Sequence, residues 1–440
     1  LQRIALEVEA LPEVASVRIW RSNVDYWTRQ TWGCHENYLT KRAVGELAKD
    51  LVPFLVTRVV YAGAGGWNPN HYGLEFSLSP RLQLFTNTIS GHTTSQRPII
   101  NTRDESHSGE GYHRVHLICR DSLHSQLGDL LSIGITRLVV RLADLGLNPG
   151  RHVQIAHPVR VLHTICADPA CAAEIKTTGG ERLTAIDIQR RYLDEVRTHA
   201  DRLPDWSLEV ADLLEDVLDR LQTDPRSLAG ELDWPTKLVL FEARSDTNQI
   251  TSWNRAVATL GEVTSDGPRP LTLRPRFLRD LVTQGHINQE KRDAVEAAIK
   301  SSGGWAGVRK LDTIKHEVLK ADVLFGDYAQ RLFDRFAHGK PFRACLPAAV
   351  AQAMTHPPHN TRAAVRGRLI TEMAGTDECY CDWAWVRAPD RTMRLDDPFQ
   401  LVESEWQPHG DGDPQRENLD IPSFLRIRQM ARDARARRER

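Results

Sequence analysis

Two short runs of this chain concentrate side chains able to do chemistry. Between Arg97 and His116 it reads RPIINTRDESHSGEGYHRVH, where the apolar pair Ile99 and Ile100 leads into Asn101, Arg103, Asp104, Glu105 and His107, with Arg114 and His116 close behind. A guanidinium offers phosphate or carboxylate oxygens a planar fork, and carboxylates or imidazoles suit a metal that neutralises such oxygens. Those residue types point to a nucleotide phosphate site; a surface salt-bridge network is the other use of the same charges. The second run is WGCHENYL, Trp32 to Leu39. Side chains alternate along a strand, so His35, Asn37 and Leu39 are expected on one face and Cys34, Glu36 and Tyr38 on the other. One face then presents a metal ligand beside an amide, or, on an edge strand, two polar groups that simply meet water.

Neither run is a common phosphate loop. No GxxxxGK[ST] occurs, and the glycines of Ala62-Gly63-Ala64-Gly65-Gly66 lack the GxGxxG spacing. In order along the chain stand SNVD (Ser22 to Asp25), GCHENYL (Gly33 to Leu39), PFLVTR (Pro53 to Arg58), RPIINTRDE (Arg97 to Glu105), DIQRRY (Asp187 to Tyr192), DWPTKL (Asp233 to Leu238), PPHNTRAAVRG (Pro357 to Gly367) and Asp382-Trp383. This series resembles the Pup ligase and depupylase enzymes, which share the glutamine synthetase-like carboxylate-amine ligase fold.

The resemblance implies an ATP- and Mg2+-dependent enzyme. Its ligase members phosphorylate the side-chain carboxylate of the C-terminal glutamate of Pup, a small disordered modifier. A lysine of a substrate protein then displaces the phosphate, and the isopeptide-linked product is marked for the proteasome. Carried over, the resemblance makes His35 and His116 metal ligands, with Glu36 added to that set. Asn37, Arg114 and Trp383 face the nucleotide, Trp383 as the family's ATP-contacting tryptophan or else as a core residue. Arg97, Arg103 and Arg114 clamp the transferring phosphoryl group and the substrate carboxylate, and Glu105 joins Arg97 and Arg103 in the catalytic set. Positioning and charge neutralisation carry most of such a reaction.

Three departures from the family pattern stand out. A GIETE-type strand with a metal-binding glutamate, and a tyrosine, aspartate and glutamate cluster that supplies the catalytic base, have no counterpart; LQRIALEVEALPEV, from Leu1, aligns with a helix that follows them. The expectation is an N-terminally truncated chain, or a paralogue lacking half of its site, that binds magnesium poorly. Ser245 to Lys310 is longer than the family's connection, either a recognition insertion or a tolerated excursion. Arg120-Asp121-Ser122-Leu123 stands where relatives favour GDSN.

The elements that must hold these residues follow from pattern. Strands are expected at Ser16 to Trp20, Cys34 to Thr40, Glu75 to Ser79, Pro98 to Thr102 and Val115 to Cys119, in a mainly antiparallel sheet. Apolar periodicity predicts a long buried helix over Leu123 to Leu147, stopped by Asn148-Pro149-Gly150, and helices over Ala185 to Ala200, Leu208 to Leu221, Trp234 to Arg244, Ile287 to Lys300 and Tyr328 to Phe336. The fold class is therefore α+β, an antiparallel sheet backed by helices with a small C-terminal domain, as the resemblance also implies. The domains expected are a catalytic one over 1–355 with its insertion at 245–310, a small one over 356–410, and a basic tail over 411–440. Arg362 and Arg366, one helical turn apart, are expected on one helix face.

Composition sets the outer limits. With 440 residues, 41% of them apolar, the chain can bury a large core. Lys plus Arg (57) nearly balances Asp plus Glu (58), against a nucleic-acid partner held by bulk charge. No run of roughly 18 apolar residues and no signal-type segment occurs, so the chain reads as cytoplasmic with no membrane partner. The seven cysteines have no CxxC spacing and read as free thiols. Three functions remain open: a Pup ligase, favoured by GCHENYL, FLVTR, RPIINT and the DPF at Asp397 to Phe399; a depupylase or Pup deamidase, favoured by DWPTKL and YLDEV; and an inactive module that grips a Pup-like chain in a groove.

Overall fold

The computed structural model describes residues 2–26, 28–71, 73–92, 96–103, 111–246, 248, 250–251, 253–255, 289–339, 342–373, 380–381, 385–388, 390–395, 397–403 and 405–408. The described residues up to Ala349 form one compact unit and those from Val350 onward a second.

A four-stranded sheet organises the first unit: β1 (Cys34–Thr40), β4 (Asn87–Ser90), β5 (Pro98–Asn101) and β6 (His113–Arg120), in the order β1-β6-β5-β4. β1 and β5 both run antiparallel to β6, but β4 runs parallel to β5, so the sheet is mixed rather than antiparallel. The PIIN of β5 is buried throughout, as a short apolar run between two neighbours should be. β1 alternates as its sequence predicts: Glu36, Tyr38 and Thr40 are buried while His35 and Asn37 are exposed. Two hairpin-like pairs, β2 (Gly66–Trp67) with β3 (Phe76–Ser77) and β7 (Ile175–Lys176) with β8 (Arg182–Leu183), stand apart from it. Ser16 to Trp20 is not a strand. Its alternating pattern finds no neighbouring strand, and Trp20 makes only a single bridge to Asp327.

Helices cover one side of this sheet. After α1 (Gln2–Glu9) come α2 (Val44–Thr57) and the one-turn α3 (Val59–Ala62), almost wholly buried. α2 contains Pro53, which lacks the N–H that Lys49 C=O would accept inside a helix; Gln154 Nε2 donates to that carbonyl instead, at 2.8 Å. α4 (Gln126–Asp144) begins where Ser125 Oγ accepts the Gly128 N–H at 2.8 Å and stops before Gly146, left-handed at φ 75°, so it is shorter than the predicted Leu123 to Leu147. Beyond it lie α5 (Pro158–Cys166), α6 (Ala185–Thr198), α7 (Ser207–Thr223) and α8 (Asp233–Glu242).

The family motifs on these helices turn out to be structural. Asp187 closes a capping box with Thr184, Gln189 Nε2 donates to Phe54 C=O, and Tyr192 Oη donates to Asp50 C=O at 2.7 Å, so DIQRRY ties α6 to α2. Asp233 accepts the His124 and Ser125 N–H groups, each at 2.8 Å, and Trp234 Nε1 donates to Val60 C=O at 2.7 Å, so DWPTKL anchors the start of α4 and the end of α3. α9 (Gln289–Ser301), α10 (Gly304–Gly326) and α11 (Leu332–Phe336) complete this unit. The last is shorter than predicted because Arg331 sits in the left-handed region at φ 47°.

In the second unit, α12 (Arg362–Glu372) is capped by Thr361, whose Oγ1 accepts the Ala363 N–H. A small antiparallel sheet accompanies it in the order β12-β11-β10-β9, from β9 (Tyr380–Cys381), β10 (Trp385–Arg387), β11 (Arg391–Arg394) and β12 (Gln407–Pro408). Val365, Leu369, Val386, Met393 and Leu395 form its core. Among the described residues no helix is long and apolar enough to cross a membrane.

Candidate functional site

The side of the sheet opposite the helices carries the chemistry. Register places Asn37, His116, Asn101 and Ser90 in one row across β1, β6, β5 and β4. His35 lies beside that row, with its Nδ1 3.3 Å from Nε2 of His116; one ring donates and the other accepts, according to tautomer. Arg114, one step along β6, is fixed from two sides: its guanidinium donates to Asn37 Oδ1 at 3.3 Å and to the Arg103 carbonyl at 2.7 Å. Asn101, fully buried, donates to His92 C=O at 3.0 Å and accepts the Arg103 N–H at 2.9 Å, which holds the chain where it leaves β5. Arg97 precedes the same strand and is partly buried.

Positive charge accumulates here. Burial, then the guanidinium groups of Arg81 and Arg114, hold the His35 imidazole below its ordinary pKa. Burial and the nearby Arg29 lower the affinity of Arg97 for its proton, and burial does the same to Arg81, with Arg97 adding to the effect. Like charges that disfavour one another in the free protein are compensated when an anion arrives. Arg81 lies outside every run that the sequence singles out; SLSPRLQL looks like the end of a strand.

Glu36 is placed away from this face, a correction to its assignment as a metal ligand. It turns into the helix-covered side, 6% exposed, where its carboxylate pairs with Arg58 Nη1 at 2.9 Å and Arg120 Nε at 3.1 Å and accepts from Tyr38 Oη at 2.8 Å. The strand's period of two enforces this: neighbours His35 and Glu36 cannot share a face. Glu105 and Trp383 lie outside the described residues.

His35 and His116 bring two imidazole nitrogens together, and no group of three or more His, Cys, Asp or Glu side chains able to hold a metal occurs among the described residues. Magnesium demands a near-octahedral shell of oxygens. The described face, two imidazoles among arginines, does not fit that ion. It does fit oxyanions, which suit planar guanidinium forks and a face of net positive charge.

A mixed sheet backed by helices, with guanidinium and imidazole groups on its open face, offers groups chemically suited to a phosphorylated or carboxylated ligand. The family model described as Pup-ligase protein matches residues 1–264 and 306–387, and the interval it skips falls inside the long Ser245 to Lys310 connection. The chain belongs to the Pup-ligase family. It is 30% identical over 409 residues to a Pup–protein ligase of Sanguibacter keddieii, covering 90% of this chain and 76% of that relative. A depupylase of Acidothermus cellulolyticus is 35% identical over 244 residues, 53% of this chain and 48% of its own length. Among solved structures, the Pup ligase PafA in complex with ADP superposes with a TM-score of 0.66 at 22% identity, covering 92% of this chain and 79% of that one. The complex of Pup with its ligase PafA gives a TM-score of 0.64 at 23% identity, with 92% and 74% covered.

Proposed function

We propose that this protein is a Pup–protein ligase, which uses ATP to join the side-chain carboxylate of a modifier's C-terminal glutamate to lysines of substrate proteins. The observation that carries the reading is the open sheet face, where Arg114 stands beside His35 and His116, Arg97 and Arg103 flank β5, and no carboxylate of the described β1, β5 and β6 residues is turned toward the two imidazoles. Its support is the ligase relatives' alignment over about nine-tenths of the chain, against about half for the depupylase. The Pup ligase PafA has been solved with ADP and with Pup, the nucleotide and the partner this reading requires.

The chemistry follows from the charges. A glutamate carboxylate oxygen attacks the γ-phosphorus of ATP, the bond to the bridging oxygen breaks, and ADP leaves. The arginines neutralise charge on the phosphoryl oxygens and hold donor and acceptor in line. A neutral lysine amine then attacks the acyl phosphate carbon, and inorganic phosphate departs as the isopeptide bond forms. Burial, then the guanidinium groups of Arg81 and Arg114, disfavour a charged His35 imidazole, so it adds little that would compete with them. A magnesium ion would need carboxylate oxygens that the described face does not offer, so on this face phosphoryl charge falls on the arginines. The need for ATP places the proposed activity in the cytoplasm, and its conjugates would serve the proteasome.

The test is a mass measurement. The chain is incubated with ATP, magnesium, a glutamate-ended Pup-like protein and a lysine-bearing acceptor. A conjugate lighter by one water than its two parts, formed in step with ADP, is the expected result. Cleavage of preformed conjugate instead would assign the hydrolytic branch, and binding of the modifier with neither reaction would leave an inactive binding module.

A further inference from the structure

Arg81 is the anomaly of the first unit. Its side chain is 3% exposed, and its Nε and Nη1 atoms are buried with no hydrogen-bond partner among the described residues. A buried guanidinium normally finds a carboxylate or several carbonyls, because an unpartnered charge is strongly destabilising inside a protein. Asp121 is the main group that compensates its charge, but the two make no ion pair: Asp121 Oδ2 accepts the Ala64 N–H at 2.9 Å, and its buried Oδ1 has no hydrogen bond among the described residues. The guanidinium instead lies 5.0 Å from the centre of the Phe85 ring and directly beneath Gly33, the residue before β1. A Cβ on Gly33 would fall 2.3 Å from Arg81 Cζ, so the glycine leaves the space that this side chain occupies. Two residues along is His35, which feels the Arg81 charge, and Arg97 bears on Arg81 in turn.

We propose that Arg81 is a fourth guanidinium of the anion site, held unpaired at the edge bounded by Gly33, His35 and Arg97 so that an oxyanion of the bound reactants completes its hydrogen bonds. The inference rests on the ligase reading for the source of that oxyanion, which is either a nucleotide phosphoryl group or the carboxylate of the modifier's terminal glutamate. Free energy withheld in the empty site is returned on binding, which favours the ligand without adding contacts elsewhere. A purely structural Arg81 would behave in the opposite way: removing it would cost stability and leave anion binding alone.

The experiment follows thermal unfolding of the whole chain in wild-type, R81K and R81M forms, with inorganic pyrophosphate, ADP and glutarate at matched ionic strength. Methionine fills the space without charge, and replacing a buried ion by an apolar group is often neutral or stabilising. The expected result is that R81M without ligand melts at or above wild type, while its apparent affinity for the anion falls about tenfold or more, with R81K between them. Loss confined to pyrophosphate and ADP assigns the phosphoryl source; loss confined to glutarate assigns the carboxylate. An R81M chain that fails to fold or melts well below wild type overturns the proposal, as does wild type that responds to none of the three. Equal responses of wild type and R81M to ADP and pyrophosphate sink the Arg81 assignment and leave the nucleotide reading intact. An Arg81-dependent response to pyrophosphate alone, with none to ADP, keeps Arg81 as an oxyanion residue and removes the nucleotide reading.

Discussion

The two faces of the central sheet handle the same kind of charge in opposite ways. On the helix-covered face Glu36 sits between Arg58 and Arg120; Arg58 also donates to Thr136 Oγ1 at 2.7 Å, and Arg120 reaches Asp129 at 2.7 Å and Cys34 Sγ at 2.7 Å. Burial would strip the Arg58 proton, yet the Glu36 carboxylate beside it holds the guanidinium more firmly charged than usual. On the open face burial again weakens arginine and histidine, but the neighbours of His35 and Arg97 that act on them are further arginines. The covered face is paired as folded, whereas on the proposed reading a ligand completes the open face. A site can thus be recognised by charge left uncompensated as well as by the residues it contains.

The largest way to break this contrast is on the covered face. Glu36→Ala leaves the buried Arg58 guanidinium without a carboxylate and Arg120 with Asp129 alone, and should cost about 3–5 kcal/mol in chemical denaturation. A loss under about 1 kcal/mol would mean that this network is not the compensated partner of the open face. On the open face the effect should appear in binding and not in folding. Arg114→Ala removes a charge-assisted donor worth roughly 1.5–3 kcal/mol, so ADP affinity measured by calorimetry should fall about 10- to 100-fold while the melting temperature of the free protein barely moves.

A third substitution tests burial without a ligand. His124, beyond the end of β6, packs against Phe325 and Tyr328, and burial, then Arg21 and Lys237, lower its pKa to about 3. A histidine whose folded pKa lies below the unfolded value of 6.5 contributes stability that is present above pH 6.5 and lost progressively as pH falls toward 3. His124→Phe should therefore lessen the stability lost between pH 7 and pH 5 by about 2 kcal/mol relative to wild type, read from denaturation at each pH. Unchanged pH dependence would sever His124 from that acid sensitivity. The smallest effect belongs to the exposed pair of Arg182 with Glu174: Arg182→Ala should change stability by less than about 0.5 kcal/mol, since solvent screens such pairs.

Much of this was legible in the sequence. The HEN triplet announced its own alternation, and the structure puts His35 and Asn37 on one side and Glu36 on the other. The same alternation turns Glu36 away from the His35 face and toward Arg58. The long helix after β6 and its neighbours were visible through their apolar spacing, because one face of each meets the core. α2 was hidden because Pro53 interrupts a run that is apolar on nearly every side, and only the Gln154 contact shows how the helix survives. β4 was hidden because NTIS is four residues long and half polar, and its parallel pairing with β5 depends on a partner brought there by the fold. DIQRRY and DWPTKL carried the resemblance, yet their side chains cap and anchor helices.

The amino-acid sequence by itself determined the family, the residue types suited to oxyanions, and the face each side chain of β1 would take, since period and type are local properties of a chain. Tertiary structure decided which arginines are paired. Arg58, Arg81, Arg97, Arg114 and Arg120 are equivalent as letters. Arg58 meets Glu36 from 22 positions away and Thr136 from 78, while Arg81 is enclosed by Gly33 and Phe85 and forms no ion pair with Asp121. Whether a charge is compensated depends on which distant groups folding brings within a few ångströms and how much water it removes, and neither is written in local sequence.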